Sequence, residues 1–176
     1  MNIETTNYLL ALSTVGLQVL TVAFLVLFFW RKKFPDLEGI VSFLEQHGLW
    51  IGFALTLVGS ALTLYYSEVL GLAACIMCWW QRICLYPQIV ILGFAALKKD
   101  RNAALSSMAL SVIGACVALY QHLLQMGVTS AAPCNAIPGT DCAARFLFEF
   151  GYITFPLMAA TLFAFLIVLM LFVRRK

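Results

Sequence analysis

Cys75 and Cys78 stand two residues apart at the start of an apolar run, and Arg82 follows Cys78 by four positions. A C-x-x-C pair can hold a structural bridge, ligate zinc or exchange disulfides, and its placement here narrows the choice. A helix beginning at this point offers Cys78 unpaired backbone N–H groups and about half a positive charge. Both favour the thiolate, the reactive form in disulfide exchange. Arg82 projects from the same helix face one turn deeper and keeps its charge in any protein setting. Its plain role is to snorkel to lipid headgroups. A central Arg, however, costs about 2.5–3.5 kcal/mol on insertion scales, less near the interface, and this one sits beside two thiols, Trp79, Trp80 and Gln81. That company favours a binding role for an anionic or carbonyl-bearing partner next to Cys78.

A second pair, Cys134 and Cys142, lies eight residues apart in a segment that also holds Pro133, Pro138 and Gly139. It can staple an exposed loop or offer an exchangeable disulfide to a soluble partner. A long loop can swing towards Cys75, and a C-x-x-C on the same membrane face favours the relay. Cys84 and Cys116 lie inside apolar runs and read as small packing residues. His122, in Tyr120-Gln121-His122, falls at the depth of Arg82, where it borders the same pocket or moves protons, or else is a hydrogen-bonded structural residue.

The elements that must position these groups are transmembrane helices. The 176 residues are 63% hydrophobic and 11% charged, with a mean hydropathy of +0.96, against roughly 25% charged in ordinary globular chains. So little charge cannot be solvated by water on all sides. The net charge of +3 sits in short basic clusters, which excludes a nucleic-acid-binding face. Five apolar stretches follow: 8–30, 49–67, 75–97, 103–126 and 152–173. The first carries Glu4 and no basic residue ahead of it and is long enough to span about 30 Å of hydrocarbon, so it reads as a retained span and not a removable signal. Between it and the second, Pro35 and the spacing of Leu37, Ile40, Val41 and Leu44 predict a short amphipathic helix lying in the interface. Pro87 and Pro156 are expected to kink their helices.

Orientation follows from the basic residues. Arg31-Lys32-Lys33, Lys98-Lys99-Asp100-Arg101 and Arg174-Arg175-Lys176 close spans one, three and five and contain nine of the eleven Lys and Arg. They share a side, which is cytoplasmic. The N-terminus, the Cys75–Arg82 group and the loop 127–151 are then extracytoplasmic, where exposed cysteines in even number suit an oxidising compartment. An oxidised dithiol is regenerated only if two electrons leave it. The site opens onto lipid, is rich in aromatics and carries no haem or flavin motif, so a lipid-soluble quinone fits as acceptor.

Taken together, C-x-x-C running into Trp79-Trp80-Gln81-Arg82, Tyr120-x-His122 near the end of a later span, and a cysteine pair in the last external loop resemble the membrane thiol oxidases of the DsbB family, BdbC-type members included. The segment Phe150–Pro156 is nearer the BdbC type. The resemblance covers spans two to five. It implies an all-α four-helix transmembrane bundle, here preceded by one extra span: residues 1–48 as an added helix and interfacial segment, and 49–176 as the redox domain. It further implies that Cys134 takes the mixed disulfide with a DsbA-like thioredoxin-fold oxidase and that Cys142 carries the exchange to Cys75. Cys78 would meet the quinone (ubiquinone or menaquinone) as a thiolate, with Arg82 helping to bind it and His122 matching the histidine nearby. No metal is implied. Two other readings remain. A vitamin K epoxide reductase-like enzyme has a similar bundle but carries its loop cysteines before the C-x-x-C, whereas here they come after. A four-sulfur zinc site at Cys75, Cys78, Cys134 and Cys142 requires every sulfur about 2.3 Å from one ion.

Overall fold

The computed structural model describes residues 3–30, 37–129 and 141–174. Its helices are α1 (Ile3–Trp30), α2 (Glu38–Leu64), α3 (Ile76–Lys98), α4 (Ala103–Gln125) and α5 (Phe155–Arg174). A π-helical turn, Tyr65–Val69, continues α2. All five helices are long and apolar enough to cross a membrane. The fold is an all-α, five-span membrane bundle, as the hydropathy pattern predicts.

The helices α2, α3, α4 and α5 form a closed ring in which each touches its chain neighbour and α5 returns to α2, while α1 packs from outside on α5. Since lipid is as apolar as a leucine side chain, such a ring is held by close packing and interhelical hydrogen bonds rather than by the hydrophobic effect. Helix α2 meets this demand with Gly48, Gly52, Thr56 and Ser60, buried at every fourth position. A Cβ on Gly48 would clash with the Val173 side chain of α5, and one on Gly52 would press on Leu92 and Met170. Against this small-residue stripe α5 sets large side chains, among them Leu166, Leu169, Met170 and Val173, all buried. Between α3 and α4 the fully buried Gln88 accepts hydrogen bonds on Oε1 from Ser107 (2.6 Å) and Ser111 (3.3 Å) and donates to the Cys84 carbonyl (2.9 Å).

Three expectations change. The amphipathic segment expected to lie apart as an interfacial helix runs without a break into the second span, as one 27-residue helix. Its buried Val41 and Leu44 continue the face that Gly48 brings against α5. Pro156 is the second residue of α5, where a missing N–H costs nothing and the fixed φ suits helix initiation, so it starts the helix instead of kinking it. Pro87 does lie inside α3. Finally, Cys84 is buried as expected, but Cys116 is exposed on the bundle surface.

Candidate redox site

The connection from α2 to α3 delivers Cys75 as the N-cap of α3. Its backbone is extended (φ −70°, ψ 169°), and its sulfur accepts a hydrogen bond from the Cys78 backbone N–H at 3.4 Å. A thiol therefore stands where serine or aspartate caps a helix, and the first turn of α3 contains no acidic residue to offset the positive helix end. The two sulfurs are 2.8 Å apart and both thiols are free. Cys75 is buried, and its thiol is held above the ordinary range, first by the hydrogen bond it shares with the Cys78 sulfur and then by burial.

Cys142 enters the same place from the segment before α5. It is fully buried and disulfide-bonded. It shares one packed cluster with Cys75, Met77 and Leu124, and Cys78 and Ala143 lie against that cluster. Thus three of the four cysteines expected to carry chemistry come together at one end of the bundle. Cys134 lies outside the described residues. The last turn of α4 holds the Cys142 segment down: Gln125 Nε2 donates to the carbonyls of Ala144 (3.0 Å) and Cys142 (3.4 Å), while Arg145 Nε donates to the Gln125 carbonyl (2.6 Å).

Arg82 lies one turn below Cys78 and is only 8% exposed. It does not snorkel. Its Nη2 donates to the Thr63 carbonyl of α2 at 2.9 Å, just before the π turn, and its guanidinium lies over the Trp79 ring at 5.2 Å from the centroid. A π turn inside a helix commonly marks a functional site; here it ends the helix that anchors Arg82. Trp79 and Trp80, by contrast, are 51% and 54% exposed and face outward from α3. His122 turns to the base of α5, where its Nδ1 pairs with Thr154 Oγ1 at 2.9 Å.

Gln121 was not singled out by the sequence, yet it touches both sulfurs of the C-x-x-C pair. It is 2% exposed. Its Nε2 stands 3.2 Å from Cys75 Sγ and 3.5 Å from Cys78 Sγ, and its Oε1 accepts from Gln81 Nε2 at 2.6 Å. The signal was available in principle. Gln121 and Gln125 are two amides four residues apart at the end of an apolar span, on one helix face, and buried amides demand partners.

The fold and the site thus define a helical membrane protein with a dithiol at a helix N-terminus beside a disulfide-bonded loop. The profile of the family described as "Disulfide bond formation protein DsbB" matches residues 46–173, and the chain belongs to that family. It is 38% identical over 113 residues to the SPbeta prophage-derived disulfide bond formation protein B of Bacillus subtilis (strain 168), covering 64% of this chain and 75% of that one. To a probable disulfide formation protein C of Halalkalibacterium halodurans it is 36% identical over 132 residues, 73% and 92% of the two chains. A probable disulfide formation protein C 1 of Bacillus anthracis is 31% identical over 115 residues, 65% and 83%. No solved structure matches. The chain is therefore a membrane disulfide-bond formation protein, a disulfide oxidoreductase by family. The matched range begins inside α2 and leaves α1 outside it.

Proposed function

We propose that this protein reoxidises an extracytoplasmic DsbA-like thioredoxin-fold oxidase and delivers the electrons to a membrane quinone, in a bacterial cytoplasmic membrane with the N-terminus and redox loops outside. The observation that carries the reading is the single buried cluster that joins Cys142 to Cys75 and Cys78 directly above a buried arginine.

In the cycle, a partner thiolate attacks the loop disulfide, which we assign to Cys134 and Cys142. The burial of Cys142 favours attack on the other sulfur, so Cys134 takes the mixed disulfide and Cys142 leaves as the thiolate. The second partner thiol then resolves the mixed disulfide, releasing oxidised partner. The Cys142 thiolate attacks Cys75 of a Cys75–Cys78 disulfide and expels Cys78; Cys134 attacks Cys142 in turn and frees Cys75. The loop disulfide is restored and the C-x-x-C holds two electrons and two protons. Each step is thiolate attack with thiolate departure.

The residues beside Cys78 fit a quinone: a guanidinium bonded to a carbonyl rather than a carboxylate, and two tryptophans on the outward face of the same turn. A bound quinone supplies a two-electron, two-proton acceptor. Arg82 would hold a quinone oxygen with its remaining donors, fixed in place by Thr63, while Trp79 and Trp80 offer planar apolar surface on the lipid side. The disulfide at Cys142 also weighs against the four-sulfur zinc site, because a disulfide sulfur is not a thiolate ligand.

Serine at Cys78 should abolish quinone-dependent reoxidation of the partner while Cys134 still traps it as a mixed disulfide. Undiminished turnover by Cys78→Ser protein in membranes would sink the mechanism.

A further inference from the structure

We propose that Gln121, oriented by Gln81, is the hydrogen-bond donor that stabilises the reduced Cys75–Cys78 pair and sets its thiol reactivity and reduction potential. The inference rests on the C-x-x-C being a redox pair and deepens that reading. No helix dipole or arginine accounts for what Gln121 does, because it comes from a different helix and meets both sulfurs at once.

The geometry fixes the direction of the amide. Gln81 sits on α3 about one turn after Cys78, and its Nε2 donates to Gln121 Oε1 at 2.6 Å. With its oxygen so engaged, Gln121 turns its Nε2 to the sulfurs, 3.2 Å from Cys75 and 3.5 Å from Cys78. The Oε1 to Cys78 Sγ separation is a long 4.0 Å. The reverse orientation would make the thiols donors, and an S–H is a weak one. An amide N–H is the better match to a thiolate, which only accepts. Reduction of the disulfide adds two electrons and leaves sulfurs that carry protons or negative charge, so donors aimed at them favour the reduced state more than the neutral disulfide. At 2% exposure, water does not replace Gln121 if it is lost.

The test uses the full chain purified in detergent, with cysteine alkylation by iodoacetamide resolved peptide by peptide and the Cys75–Cys78 couple titrated against glutathione. Gln121→Met keeps the length and removes the donor. Cys78 alkylation at neutral pH should slow about tenfold, the loss of one charge-assisted bond, and the dithiol–disulfide equilibrium should move about tenfold towards disulfide, ~30 mV more reducing. Gln81→Met, which leaves Gln121 in place but frees its amide to rotate, should shift the potential the same way by less. Gln81 is thus a positioning residue, and a merely structural role would not move the potential of a folded variant.

One result would overturn the inference: Gln121→Met and Gln81→Met proteins with wild-type potential and alkylation rate. Neither readout uses quinone or partner protein. If the thiol measurements behave as stated but quinone turnover is absent, the proposed electron acceptor fails and the role of Gln121 stands.

Discussion

At the level of single residues, the site divides into groups that sequence exposes and groups that it hides. Cysteine and arginine are conspicuous in an apolar chain because each is costly or reactive there, so Cys75, Cys78 and Arg82 announce themselves by type and spacing. Glutamine does not. Gln121 is neutral, its neighbour His122 draws the eye as the titratable member of the pair, and only the rotation of α4 decides which of the two meets the sulfurs. That rotation depends on packing against α3 and α5, so Gln121 reaches the thiols and His122 reaches Thr154. Arg82 yields a prediction at the same scale. Its Nη2 is committed to Thr63, and the other donors of the rigid fork are those available to a carbonyl-bearing ligand. Arg82→Met should therefore raise the apparent KM for quinone roughly ten- to a hundredfold, the worth of one charged hydrogen bond of about 1.5–3 kcal/mol. Reduction of Cys75–Cys78 by dithiothreitol should be little changed. Arg82→Lys keeps the charge without the fork and should fall between. A quinone titration of steady-state turnover in the three proteins measures this, and equal KM values would remove Arg82 from the quinone site.

At the level of elements, hydropathy made the spans legible and left their contacts obscure. The windows for α3 and α4 agree with the structure within a residue at each end, since charged or turn-forming residues bound both. The start of α2 was not legible: the amphipathic spacing from Leu37 to Leu44 is the same whether the segment floats in the interface or continues a buried stripe. The four-residue recurrence of Gly48, Gly52, Thr56 and Ser60 is the stripe's signature, visible in sequence yet silent about its partner. Glycine gives this scale its sharpest test, because the same substitution should act oppositely at two positions. At Gly114 of α4 an added Cβ would lie 2.5 Å from Phe163 Cζ and 2.6 and 2.8 Å from the two Cε atoms of that fully buried ring. At Gly16 of α1 nothing lies within 4 Å. Gly114→Ala should destabilise by about 1–3 kcal/mol, the usual cost of overpacking, whereas Gly16→Ala should be neutral or stabilising by up to about 1 kcal/mol through helix propensity. Thermal unfolding in one detergent, followed by the accessibility of buried Cys84, would show the contrast; two equal effects would mean that α4 and α5 do not approach as closely as described.

At the level of the whole molecule, five spans and their alternation could be counted from sequence, but not that four of them close a ring with the first outside it. Closure depends on which faces are small, which are large and which carry buried amides, and hydropathy averages over all three. The arrangement separates two jobs. The ring α2–α5 and its connections hold every described cysteine and Arg82, while α1 meets α5 through Phe24 and Phe28 against Phe165 and Phe172, with ring centroids 5.3–6.4 Å apart. Gln18 of α1 donates to Thr161 Oγ1 and accepts from the Tyr152 hydroxyl. At the redox end Tyr66 donates to Asn7 of α1 and packs on Phe155, so α1 braces the π turn from behind without touching the thiols. Interhelical hydrogen bonds in membranes average about 0.6 kcal/mol and aromatic pairs about 0.5–1.5 kcal/mol, so the brace contributes stability in small increments spread along its length. A chain beginning at Leu37 should therefore insert, keep Cys78 alkylation within about twofold of the full-length rate, and unfold in detergent at a visibly lower temperature, by several degrees on the scale of a few kcal/mol. The two measurements separate the roles. A truncated protein that melts normally would show that α1 does not support the ring, and one that melts lower but also loses Cys78 reactivity would show that the brace on Tyr66 reaches through the connection to Cys75 and belongs to the site.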